Sequence, residues 1–338
     1  MLEIEPRGKL TAANYVACIP FALCHLICFA AIWTGVEPLH VGVALALYVV
    51  RMFGVTGGYH RYFSHRTYKL NRFWQFMMAF LAQSSGQKGV LWWAAHHRHH
   101  HRHSDTPDDV HSPRQHGFWY SHLAWILVPG SGGTRYEHIP DLARYPELRW
   151  LNKHYWIPPL ALALAVFAWL GLPGLIVGFF WSNVLLWHGT FSINSLAHVI
   201  GKARYATDDD SKNHFGLALI TMGEGWHNNH HFYQAAANQG FFWWEIDITY
   251  MILVALSWVG IVRDIKRPPK HVIENRQHPS WERAARAAAL REAAFALEKS
   301  AGEGTVQVPD FLPVSDSDEV AVAPVVPAPV EAPVAVGV

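Results

Sequence analysis

Apolar residues run along this chain in long blocks rather than at the alternating spacing of a strand or the three-to-four spacing of a soluble helix. One block covers residues 15–36 without a charge, and a second covers 41–58 with Arg51 as its single charge. After a long polar stretch, further blocks cover 155–171 and 173–191. Each approaches the roughly 20 residues a helix needs to cross a bilayer, so four spans are expected. The links at 37–40 and 171–174 are short and fold the spans into two hairpins. Arg51 is expected to snorkel toward one interface on its long apolar stem.

No Lys or Arg occurs between Leu10 and Val50, or between His154 and Ile200. Basic residues gather at the N-terminus, in the central segment and after Gly201. Cytoplasmic segments carry such an excess. Residues 1–14, the central segment and everything after the fourth span are therefore expected in the cytoplasm, with both hairpin tips outside. The expected fold class is an all-α integral membrane protein: four transmembrane helices in two hairpins, capped by a helical cytoplasmic domain. Two shorter apolar runs fit this plan. Residues 73–81 are too few to span and are expected at the interface, and 249–262 are expected as a helix packed on the cytoplasmic domain. The main domain then covers 15–270. Residues 271–299 form a peripheral helical extension rich in Ala, Glu and Arg. The tail at 300–338, rich in Pro, Val and Ala, lacks the apolar mass to order itself.

Composition supports a bilayer setting. Of 338 residues 51% are hydrophobic and only 16% charged, against about 25% in soluble domains. The 16 Trp suit a protein with much interfacial surface. A net charge of +1 gives no basic excess for nucleic acid. Cys18, Cys24 and Cys28 share one apolar block and behave as small hydrophobes without a disulfide framework. Glu3 and Glu5 stand where a cleavable signal would be basic.

The 23 histidines change the picture most. His is the commonest metal ligand and proton carrier. Three boxes stand out: His60-Arg61-Tyr62-Phe63-Ser64-His65, His97-Arg98-His99-His100-His101 and His227-Asn228-Asn229-His230-His231. The last two share H-x-x-H-H, whose i, i+3 and i+4 positions lie on one helix face and can turn three imidazoles toward a common point. The i and i+5 spacing of the first box fits no such face. The second box also fits one residue earlier, at His96. Under the charge-based topology all three boxes lie on one side of the membrane. Eight box histidines exceed one ion's coordination number, so the count points to two ions. No ring of acids is apparent in the sequence to balance such a charge.

The boxes, their order and the hairpin layout resemble the membrane fatty acid desaturases, specifically the acyl-CoA Δ9 (stearoyl-CoA) branch, over roughly residues 15–270. Thr56-Gly57-Gly58-Tyr59-His60-Arg61 resembles the family's first box with its lead-in, Asn194-Ser195-Leu196-Ala197-His198 an element at the end of the fourth span, and Glu224-Gly225-Trp226-His227-Asn228-Asn229-His230-His231 the third box. The resemblance implies nine metal ligands: His60, His65, His97, His100, His101, His198, His227, His230 and His231. It implies Asn194 as a residue that reaches a metal through water. It selects the His97 register, because the family box has Arg second, as Arg98 is here. Animal members carry an Arg-Asp pair where Ala95 and His96 stand, a departure that bears on coenzyme A recognition more than on chemistry. His99, His103, His111 and His116 are left without a metal role. Trp92, Trp93, Trp119 and Trp125 are candidates for the wall of an acyl tunnel.

A saturated acyl chain offers no acidic proton and no electrophile, so its oxidation needs a metal–oxygen oxidant. The resemblance implies two iron ions (zinc as a substitute in recombinant protein), O2 as co-substrate, and a long-chain acyl substrate on CoA or lipid, CoA being favoured. No nucleotide fingerprint or fused haem motif is visible, so electrons are expected from a separate ferredoxin, rubredoxin or cytochrome with its reductase. A related hydroxylase, ketolase or alkane monooxygenase is the second enzyme reading, separated by oxygen entering the product. A metal transporter or receptor is a third; a transporter places its ligands near the bilayer midplane, whereas these stand at cytoplasmic ends.

Overall fold

The computed structural model describes residues 12–128 and 132–274. The N-terminal residues before 12 and the expectations for the extension beyond 274 and the 300–338 tail lie outside the described residues. Within them the chain is helical, with only isolated β-bridges and no strand. We label the principal helices α1 (Ala12–Cys28), α2 (Pro38–Phe53, continuing as a π-helix over Gly54–Ser64), α3 (Arg72–Gln83), α4 (Val90–His103), α5 (Ile157–Pro173), α6 (π-helical over Gly174–Trp181, then α over Ser182–Ser195 and one 3₁₀ turn over Leu196–His198), α7 (His227–Phe232) and α8 (Ile248–Trp258).

Two helical stretches are long and apolar enough to cross a membrane, Pro38–Ser64 and Ile157–His198. The second is not one rod. Gly171 takes φ +62°, outside the helical region and accessible to glycine at little cost. A Cβ placed on Gly178 would lie 3.5 Å from Val166 Cγ1, yet twelve residues along one straight helix lie about 18 Å apart. The chain therefore turns back at Gly171, as the short 171–174 link implies, and α5 packs along α6. The apolar stretches Cys18–Thr34 and Ile248–Trp258 are shorter. Large apolar side chains stand exposed along α1 (Leu26), α2 (Leu45) and α5 (Leu164, Trp169), a surface suited to lipid rather than water.

Arg51 departs from expectation. It does not snorkel but is fully buried, donating to Asn183 Oδ1 at 2.7 Å, to Ser182 Oγ, and to the Ser84 and Phe179 carbonyls. Its stem leads between α2 and α6, where the polar residues of α6 satisfy the guanidinium that lipid could not.

Around the histidines the helices cross closely. A Cβ on Gly54 would sit 3.1 Å from the Ala82 backbone, so the side-chain-free Gly54 lets the chain continuing α2 pass close against the α3 main chain there. Asn71 caps α3 through Trp74 N at 2.9 Å. The start of α4 is pinned by borrowed caps: Gln83 Oε1 accepts from Val90 N, and Asn152 Oδ1 from Leu91 N and Trp92 N. Phe53, Tyr59, Phe63, Met78, Leu91, Leu151 and Leu186 form the shared core beneath.

Candidate metal centre

The first box gains its geometry from the π-helix. His65 N donates to His60 O at 3.2 Å, an i to i+5 bond. A π-turn brings residue i+5 one turn above residue i, and the His60 and His65 rings stand 4.9 Å apart. The spacing that fits no α-helical face fits this one.

The nine histidines fall into two sets. His60, His65, His97, His101 and His230 place one ring nitrogen each within 4.8 Å of one another; His100, His198, His227 and His231 do the same. Within the first set His97 Nε2 lies 2.9 Å from both His65 Nε2 and His101 Nε2, and His230 Nε2 lies 3.0 Å from both His60 Nε2 and His101 Nε2. In the second, His198 Nε2 lies 3.1 Å from His227 Nε2. The sets adjoin, the His101 and His231 rings being 4.5 Å apart.

The H-x-x-H-H boxes do not turn three rings to one point. On α4 the i, i+4 pair His97 and His101 joins the first set and His100 the second. On α7 the pair His227 and His231 joins the second set and His230 the first. Residues at i+3 and i+4 project to either side of the helix stripe, so each box serves both sets. Among neighbouring histidines, His96 Nδ1 pairs with Trp92 O and His99 Nε2 with Asp108 O, apart from either set. His111 forms a further group with His100 and Asp109. Asn194 lies on α6, one turn before His198, facing a cavity described below.

The acids that the sequence reading missed are present. His60 Nδ1 faces Glu224 Oε2 at 2.5 Å, His100 Nδ1 faces Asp109 at 3.0 Å, His198 Nδ1 faces Asp105 at 2.9 Å, and His231 Nδ1 faces Asp209 at 2.6 Å. A carboxylate taking Nδ1–H fixes the tautomer that aims the Nε2 lone pair inward. Asp105 is itself held by Ser112 Oγ and Asp210 N, and Asp109 by Asp105 N. Arg61, fully buried, bonds both Glu224 and Asp247. The signal lay in the acidic runs at 104–109 and 207–210 and in Glu224 beside the third box.

Electrostatics favour neutral rings at four histidines of the first set and one of the second. Burial, reinforced by neighbouring histidines, holds His65, His97, His101 and His230 well below the ordinary imidazole range, and His227 of the second set likewise. Burial also works against His100, but the Asp109 carboxylate, joined by Asp105 and Asp209, outweighs it and raises the ring. Burial alone would raise Asp105, Asp109, Asp209 and Glu224; their histidine partners, with Arg61 at Glu224, hold them below the usual carboxylate range. Lone pairs converging at 3 Å without protons between them repel unless a cation sits among them. His231 Nε2 is buried without a hydrogen-bond partner, and its Nδ1 is already committed to Asp209. This donor chemistry fits two divalent transition-metal ions, one with five nitrogens and one with four.

A cavity of about 620 Å³ leads to this centre. Phe21 of α1, Trp92 and Trp93 of α4 and Phe191 of α6 line it, and it reaches His97 and Asn194. Trp93 stacks on the His97 ring at 4.8 Å and on Tyr59 at 5.3 Å. Trp125 also lines it, whereas Trp119 is 75% exposed and belongs to the surface.

A family model described as fatty acid desaturase matches residues 37–250. The chain is 32% identical over 270 residues to an sn-2 palmitoyl-lipid 9-desaturase of Nostoc sp., covering 78% of this chain and 94% of that protein. It is 34% identical over 284 residues to an sn-1 stearoyl-lipid 9-desaturase of Synechocystis sp., covering 81% and 87%. It is 35% identical over 222 residues to an icosanoyl-CoA 5-desaturase of Limnanthes douglasii, covering 64% and 62%.

Proposed function

The chain belongs to the fatty acid desaturase family and is an oxidoreductase acting on a fatty acyl chain, and from that premise we propose that it inserts a cis double bond at the Δ9 position of a saturated chain. The reaction consumes O2 and two electrons from a separate ferredoxin, rubredoxin or cytochrome. One observation carries the reading: two adjoining sets of five and four histidines stand at the end of a largely apolar cavity.

His60, His65, His97, His101 and His230 would hold one ion, and His100, His198, His227 and His231 the other, with Asn194 reaching a metal through water. Two iron ions so held would supply, with O2, the oxidising power that an unactivated methylene demands. The rest is the work of this chain's residues. Phe21, Trp92, Trp93 and Phe191 exclude water and confine the acyl chain, so that position along the cavity decides which carbons lie beside the histidines. Glu224, Asp105, Asp109 and Asp209 hold protons at Nδ1 and keep Nε2 free to ligate.

The protein associates with the membrane, and we place it there with four spans and all nine histidines on the cytoplasmic side. The reversal at Gly171 and the distribution of Lys and Arg support this arrangement. The test of function is expression in a desaturase-deficient host with analysis of its fatty acids. Monounsaturated chains with the double bond at carbon nine are expected. A hydroxylated product carrying oxygen from O2 would contradict the reading.

A further inference from the structure

A second cavity of about 510 Å³ adjoins the acyl cavity and shares Lys88, Trp92, Gly132 and Tyr155 with it. Its character is different. Lys88, Arg149 and Lys153 supply three positive charges, and none of them forms an ion pair with a carboxylate among the described residues. Lys88 stands at the junction of the two cavities. Its backbone takes φ +69°, and the Tyr59 hydroxyl donates to its carbonyl at 2.7 Å, which fixes the direction of the side chain. The ammonium lies 5.8 Å from the Trp92 and Tyr155 rings, half-buried between them. A partly desolvated cation with no counter-ion costs stability unless it meets an anion in the working state. Arg149 reaches over the Tyr136 ring at 6.0 Å on the outer wall.

The setting indicates what kind of anion. Trp150 and Tyr155 line this cavity and stand 51% and 40% exposed, and Trp156, 53% exposed, follows them in the chain immediately before α5. Aromatic residues at the end of a span mark the depth of lipid head groups. We propose that this antechamber takes the phosphate of a phosphoglyceride head group, with Lys88 as its inner contact and Arg149 and Lys153 as outer ones, while the attached acyl chain runs past Trp92 into the apolar cavity toward His97. The inference rests on the desaturase reading and adds the carrier to it. A neutral sugar head group would leave the three cations unmatched. Coenzyme A shares the phosphate chemistry but not the membrane-level position.

The test uses the full chain, metal-loaded, in three assays with a reducing system: vesicles of distearoylphosphatidylglycerol in a neutral host lipid, vesicles of the stearoyl form of a neutral galactosyldiacylglycerol in that host, and stearoyl-CoA. The variants are Lys88→Met, Lys88→Arg and the pair Arg149→Gln with Lys153→Gln; metal content reports whether each has folded. A charge-assisted phosphate contact contributes enough that its loss raises the apparent KM on the order of tenfold. The expected result is such a rise for phosphatidylglycerol relative to the galactolipid in Lys88→Met, a smaller rise in the paired variant, and recovery in Lys88→Arg. Equal effects on charged and neutral lipid overturn the proposal, and a rise confined to stearoyl-CoA overturns the lipid assignment. If no assay yields unsaturated product even with the native protein, the desaturase reading itself falls and the proposal with it.

Discussion

At the scale of single residues, the second box decides which histidines matter. His97 belongs to the five-histidine set, whereas His96 and His99 spend a ring nitrogen on the Trp92 and Asp108 carbonyls. His97→Ala is therefore expected to abolish desaturation, and His96→Ala and His99→Ala to keep a substantial fraction, as measured by product formation per chain. Equal losses from His96→Ala and His97→Ala would show that the register is wrong. The carboxylates allow a second prediction. Asp209→Asn removes the charge facing His231 Nδ1 at 2.6 Å, and loss of such a partner typically costs 10–100-fold in metal affinity. Chelator competition on purified protein measures it, and an unchanged affinity would argue against the role. The histidine clusters were legible in the sequence because histidine at fixed spacing has few other uses, and the nine expected histidines do come together. The acids were not, because Asp105, Asp109 and Asp209 sit in loops without periodicity and meet their histidines across 9, 22 or 93 residues of chain.

At the scale of elements, the site depends on departures from the α-helix. The π-turn over Gly54–Ser64 converts the i, i+5 spacing of His60 and His65 into a shared face. Sequence patterning assumes a period of 3.6 and so left this box unplaced. The same assumption suggested one focus for each H-x-x-H-H triplet, where the structure divides it between two. Arg51 was misread for a related reason. A hydrophobic block shows that a charge is surrounded by apolar residues but not that Ser182 and Asn183 wait on the facing helix. The blocks themselves predicted α5 and α6 within three residues at their starts, because long apolar runs bounded by glycine leave little choice. Close approach of α2 and α3 yields a stability prediction. Gly54→Val puts side-chain atoms against the Ala82 backbone. Such overpacking typically costs about 1–3 kcal/mol, seen as a lower midpoint in thermal unfolding of the detergent-solubilised protein. An unchanged midpoint would mean that the crossing relaxes freely.

At the scale of the whole molecule, two claims must hold together: one side of the membrane for all nine histidines, and two ions among them. Arg102 follows the second box, Lys202 follows His198, and Glu37 lies at the tip of the first hairpin. In a chain freed of Cys18, Cys24 and Cys28, cysteines at 102 and 202 are expected to react with impermeant reagents from the cytoplasmic side only. One at 37 is expected to react from the other side. Labelling of 102 and 202 from opposite faces would contradict the four-span arrangement. The more direct test is metal content. Full-length protein purified anaerobically is expected to hold two metal ions per chain, iron in preference. His65→Ala should weaken the five-histidine set and His227→Ala the four-histidine set, each bringing the ratio toward one. A native protein that reproducibly holds one ion, or two ions unaffected by either substitution, would contradict the division of the nine histidines on which this account of the enzyme rests.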